Sequence, residues 1–100
     1  MTDKPLFLVV TIKPRPDTLD QAKAQLQRMR ANALTEPGCV FMHLVESPDE
    51  PGDLTMIEHF ASRAAWDEHM ASEHNRTGNE QLEPLLREPS IRRLYTPVPA

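Results

Sequence analysis

Cysteine occurs once in this 100-residue chain, at Cys39. A lone thiol excludes an internal disulfide and fits a reducing compartment. Positive charge is also scarce: 11 Lys and Arg stand against 15 Asp and Glu, for a net charge of −4. The bases form no stripe, and the few aromatics (one Trp, one Tyr, three Phe) do not alternate with them. That composition argues against a nucleic-acid partner. No apolar run approaches the ~20 residues that cross a bilayer. The opening Met-Thr-Asp-Lys-Pro lacks the apolar core of a secretory signal. These absences lead to the expectation of a cytoplasmic protein with neither a membrane nor a nucleic-acid partner.

What the chain does hold is a clear alternation of elements. Its length suits one domain, 1–100, with a core over about 6–96. Leu6 to Lys13 reads as a strand with apolar residues on both faces, ended by Pro14 and Pro16. Thr18-Leu-Asp-Gln21 fits a capping box. The stripe Leu19, Ala22, Leu26, Met29 and Ala33 predicts a helix that stops near Thr35, before Pro37 and Gly38. Cys39 to Glu46 and Leu54 to Phe60 are predicted to pair as a hairpin across the loop Ser47 to Asp53. The simplest register sets residue 41 opposite 59 and 43 opposite 57, with His43, His59, Phe41, Ile57 and Cys39 on one face.

The stretch 57–74 organises the rest. It carries three of the four histidines and the only tryptophan. Ser62 is a good N-cap for a helix over Arg63 to Met70, and Ser72 for a second one with Glu73 in its first turn. Trp66 and Met70, like Ala65 and His69, are four apart and share a face. Pro84 bends or ends the second helix, and Ser90 to Tyr95 is a short last strand. The order is therefore βαββαβ, the α+β ferredoxin-like arrangement of an antiparallel sheet with helices on one face. Helices cover only one side, yet three strands are apolar on both. A second copy meeting sheet face to sheet face, in a homodimer, would cover the other.

Two sets of residues, Glu36-Pro-Gly-Cys39 and Glu58-x-Phe60-x-Ser62-x-x-Ala65-Trp66-Asp67-x-His69-x-x-Ser72-x-His74, resemble the antibiotic biosynthesis monooxygenase domain family. The resemblance covers the element order of nearly the whole chain. It implies a dimeric α/β barrel. The family includes cofactor-independent monooxygenases of polycyclic phenols and quinols, quinol oxidases, haem-degrading enzymes and an isomerase of a phosphorylated signalling sugar. Phe60 stands where many members have a pocket tryptophan, and Trp66 where a polyketide-oxidising member has a tyrosine that holds the phenol. Met56 stands where that member has an asparagine. Neither Phe60 nor Met56 can hydrogen-bond in that way. His69 and His74 match the His-x-x-Ser-x-His pattern directly, whereas Asn75 replaces the usual aromatic and makes the pocket more polar. The haem-degrading pattern needs an asparagine on the first strand and a histidine ten residues after the tryptophan. Here those places hold Val9 to Ile12 and Arg76, so haem is not expected.

The expectation is a monooxygenase that oxidises a small aromatic phenol or quinol with O2 and needs no cofactor. Such a substrate, once deprotonated, is its own reductant of oxygen. The protein then supplies a dry pocket, a base and a donor for the anion. His69 or His59 would take the proton, since imidazole titrates near neutral pH. Trp66, Phe60, Met56, Phe41, His43 and His74 would contact the substrate. The four histidines show no metal-ligand spacing. Glu58 is either paired structurally or a shifted acid–base group, and Cys39 has no activating neighbour in sequence. The alternatives are a small-molecule isomerase in the same pocket and a non-catalytic dimeric binding or stress-related domain.

Overall fold

A computed structural model describes residues 4–100. Met1 to Asp3, the start of the stretch read as lacking a secretory signal, lie outside the described residues. The elements are β1 (Leu6–Pro14), α1 (Leu19–Ala33), β2 (Cys39–Glu46), β3 (Leu54–Phe60), α2 (Arg63–Ala71), α3 (Glu73–Leu82) and β4 (Leu86–Tyr95). The four strands form one antiparallel sheet in the order β2-β3-β1-β4. This is the ferredoxin-like arrangement, and the helices lie on one side of it. No helix among the described residues is long and apolar enough to cross a membrane.

Strand parity decides which side chains meet the helices. On β1, Leu6, Leu8, Val10 and Ile12 are buried while Phe7, Val9 and Thr11 are only half covered. On β3, Leu54, Met56, Glu58 and Phe60 are buried and Thr55, Ile57 and His59 are not. The core therefore sits between the inner face of the sheet and α1, α2 and α3, with Leu26 and Ala22 of α1 and Leu82 of α3 at its centre. The hairpin takes the expected register, Phe41 opposite His59 and His43 opposite Ile57.

Three local expectations change. The register shifts between Cys39 and Phe41, so Cys39 pairs with Phe60 and is buried, while Val40 is 55% exposed. The extra residue of a bulge reverses strand parity, which takes Cys39 off the face it was expected to share with Phe41. Thr18 forms no capping box. Its hydroxyl instead donates to the Leu85 carbonyl at 2.7 Å, and a short 3-10 turn over Pro16–Thr18 opens α1. β4 begins at Leu86 rather than Ser90, after a 3-10 turn at Glu83–Leu85 where Pro84 ends α3. Pro89 is tolerated because β4 is an edge strand.

Candidate active site

The site begins with a glycine. A Cβ at Gly38 would lie 2.4 Å from the Ala65 Cβ, so only glycine lets the turn after α1 press against α2. The Gly38 carbonyl also accepts the Ala61 N–H at 2.8 Å. This contact carries Glu36, two residues back, to the end of α2. The serine caps fix the other partners. Ser62 accepts the Ala65 N–H at 3.1 Å and starts α2. Ser72 accepts the Asn75 N–H and donates to the His69 carbonyl at 2.7 Å, joining the end of α2 to the start of α3. His69 and His74 are thereby held on either side of one carboxylate. Glu36 accepts from His69 Nδ1 at 3.0 Å and from His74 Nε2 at 2.5 Å.

An ionised carboxylate can only accept, so each imidazole presents an N–H to it. For His69 this fixes the tautomer and leaves Nε2 as the one free lone pair. The ring is buried and lies 5.0 Å from the Phe60 ring, which closes off the end of β3. The ligand atoms of Glu36, His69 and His74 lie within 4.8 Å of one another, a set that could hold a metal ion. Sequence spacing gave no hint of that set, because it joins a turn to two helices 33 and 38 residues further on. In this arrangement the three side chains satisfy one another.

His69 also lines a cavity of about 70 Å³ between the sheet and the helices. Four methionines, Met29, Met42, Met56 and Met70, make its apolar wall together with Val10, Ile12, Leu26 and Leu82. Its polar groups are Glu58, His69, Asn75, Asn79, Ser90 and Arg92. Burial pushes the Glu58 carboxyl up from 4.5 to about 7, with the Arg92 guanidinium pulling it down and the Glu36 charge adding to the rise. No salt bridge among the described residues reaches Glu58, so Arg92 acts on it only as a nearby charge. Burial, and then the charges of Glu36 and Glu58, raise the Cys39 thiol to about 11, which keeps it protonated and unreactive.

The fold divides the residues singled out from sequence. His69 and Met56 line the cavity, Phe60 backs His69, and His74 reaches the cluster through Glu36. Trp66 is half-buried against the core, with Arg63 4.9 Å from its ring, and lies outside the cavity lining. Its indole Nε1 is buried without a hydrogen-bond partner among the described residues. His59, His43 and Phe41 are on the opposite face of the sheet, where Phe7 stacks on His59 at 4.3 Å and Phe41 on His43 at 4.7 Å. Glu36 and Arg92 entered the site only through the fold. Arg92 pairs with Val10 and so shares its face of the sheet; with Arg93 beside it, alternation gave no sign of this.

Residues 5–81 match the antibiotic biosynthesis monooxygenase family. The chain belongs to that family. A Mycobacterium tuberculosis relative named "Putative monooxygenase Rv0793" is 35% identical over 85 residues, which are 85% of this chain and 83% of that one. Its solved structure superposes with a TM-score of 0.89 at 32% identity, over 96% of this chain and 97% of the other. A solved Caulobacter crescentus structure gives a TM-score of 0.91 at 20% identity, covering 97% of this chain and 92% of that one, a likeness of fold alone. The family match takes in Glu36, Glu58, His69 and His74 and stops short of Ser90 and Arg92.

Proposed function

We propose that the protein is a cofactor-independent monooxygenase that oxidises a small electron-rich aromatic hydroxy compound, a phenol or quinol, with O2. The observation that carries this is His69: a cavity-lining imidazole with one nitrogen tied to Glu36 and the other free. A base held in one tautomer by a carboxylate takes a proton from a bound hydroxyl without reorienting. The Arg92 guanidinium on the same wall steadies the anion, and the methionine walls exclude water. The anion then supplies electrons to O2. One oxygen atom bonds to a ring carbon and the other leaves as water, so that a phenol and O2 give a quinone and water with the substrate as sole reductant. Glu58, neutral below about 7, is placed to pass a proton to the departing oxygen.

The same reading includes a second copy of the chain against the open sheet face; the Phe7–His59–Phe41–His43 stack and the exposed Val40 and Ile91 support it. In that dimer the two histidines of the open face serve packing, and catalysis is left to His69.

The test is oxygen uptake with a panel of quinols and naphthols, with 18O2 followed into the product. Uptake matched by labelled quinone is the expected outcome. A saturable ligand that turns over without O2 would move the reading to a proton-shifting isomerase. Binding with no turnover would leave a ligand-binding domain.

A further inference from the structure

The Glu36 carboxylate is largely removed from water: its side chain is 18% exposed, against 9% for His69 and 35% for His74. Among the described residues, no Lys or Arg bridges it. Its side-chain partners are the two imidazoles. A neutral imidazole offers an N–H but no charge. The hydrogen bonds of Glu36 are therefore met, while its charge faces no fixed cation. Covered charges in proteins are paired or they coordinate metals.

The donor set decides which ion suits this place. The three ligand atoms lie within 4.8 Å of one another. His69 Nδ1 and His74 Nε2 already point at the carboxylate, at 3.0 and 2.5 Å. A tetrahedral ion with bonds of about 2.0–2.2 Å spaces its ligands roughly 3.3 Å apart, so the carboxylate withdraws by less than about 1 Å. Two imidazoles and one carboxylate, with one position left for water, make an open zinc-type site. Magnesium and calcium call for oxygen ligands. A six-coordinate ferrous site needs several open positions, whereas water reaches this cluster mainly on the His74 side. We infer that Glu36, His69 and His74 form a site for a zinc-class cation, and that an ion bound there switches off His69 as a base. The site stands on the geometry of the cluster; the switch rests on the function proposed above.

The switch follows from proton positions. His69 Nδ1 and His74 Nε2 give up their N–H bonds to Glu36 and hold the ion through the freed lone pairs. Each neutral ring keeps one proton, which solvent returns to its other nitrogen. For His74 that nitrogen is Nδ1, on a ring exposed enough to meet water. For His69 it is Nε2, the acceptor that the proposed reaction needs. The carboxylate holds His69 in one tautomer and the ion holds it in the other. Glu36 and His74 lie outside the cavity lining, so the ion removes the base without occupying the substrate's place.

The experiment adds Zn2+ to the full chain and follows the imidazole 15N signals. One ion should bind per chain, excess Mg2+ should not displace it, and His69 should pass from the Nδ1–H to the Nε2–H form. Glu36→Gln and His74→Ala should each raise the zinc Kd by about ten-fold or more. His59→Ala, on the far face of the sheet, should leave that Kd unchanged. With the quinol panel, bound zinc should abolish oxygen uptake and a chelator should restore it. An unchanged His69 tautomer in zinc-saturated parent, or a zinc Kd indifferent to a folded His74→Ala, would overturn the site. A changed tautomer with undiminished uptake would overturn the switch alone. If no quinol is oxidised, the proposed function falls and takes the switch with it, while zinc affinity and tautomer still decide the site.

Discussion

Two histidines lie on each side of the same sheet, in opposite surroundings. On the helix side, His69 is buried and bonded to Glu36, and His74 completes the cluster. On the open side, His59 and His43 stack on Phe7 and Phe41 and touch no carboxylate among the described salt bridges. The contrast shows that a histidine's chemistry is set by what orients it. Stacking fixes a ring's plane and leaves the tautomer free, whereas a carboxylate fixes the tautomer as well. Under the proposed function, one face carries proton transfer and the other packing.

The largest expected effect tests that division directly. His69→Ala should lower kcat by ~10²–10⁴-fold, the usual worth of a positioned acid–base group. His59→Ala should leave kcat unchanged, and stopped-flow quinone formation in the two variants would compare the faces. An equal loss in both would end the division.

The next effect concerns stability. The Glu58 carboxyl titrates at about 7 when folded, against 4.5 ordinarily. Its neutral form therefore favours the fold. That contribution is complete below 4.5, fades as pH rises toward 7 and is gone above it. Between pH 4 and 8 the loss is about 3 kcal/mol. Glu58→Gln should remove that part of the slope and be the more stable protein at pH 8. Urea denaturation of both at several pH values would measure it, and parallel slopes would mean the carboxyl is not shifted.

On the open face, Phe41→Glu should cost about 2 kcal/mol or more of association if a second copy covers the stack. Sedimentation velocity should then show monomers in place of dimers, with the cavity's ligand affinity retained. A parent protein that sediments as a monomer would remove the partner from that face.

The smallest effect is at Trp66. Its indole N–H is buried without a partner among the described residues, and an unmet donor costs about 1–3 kcal/mol. Trp66→Phe removes the donor and keeps most of the ring, so the loss of packing is largely offset and the thermal midpoint should hardly move. A drop of several kcal/mol would mean the N–H has a partner in solution.

Much of this was legible in the sequence, for physical reasons. Ser62 and Ser72 announced two helix starts because few residues can accept a first-turn N–H. The hairpin register followed from period-two alternation, which also put His43 and His59 together. Parity cannot say which face the helices will choose when both are apolar, so only the fold places His59 on the side away from them. The bulge at Val40 carries no composition signal, and Cys39 was placed on the wrong face by one residue. Glu36 read only as part of a turn motif, because its partners lie beyond the reach of local reasoning. Arg92 stands beside a second arginine, Arg93, on a strand of mixed character, and alternation is silent there.

Among the described residues, the Glu36 carboxylate is the one side chain hydrogen-bonded to both α2 and α3 from the turn after α1. Elsewhere α2 is lightly anchored: it is nine residues long, and His69 is its only fully buried residue. Helices fixed at so few points open together rather than one by one. In amide hydrogen exchange, α2 and α3 should therefore behave as a single unit that loses protection well before the sheet. Glu36→Gln should speed exchange in both helices by the same factor and leave β1 and β3 untouched. One acidic side chain then decides how often the lid of the cavity comes off.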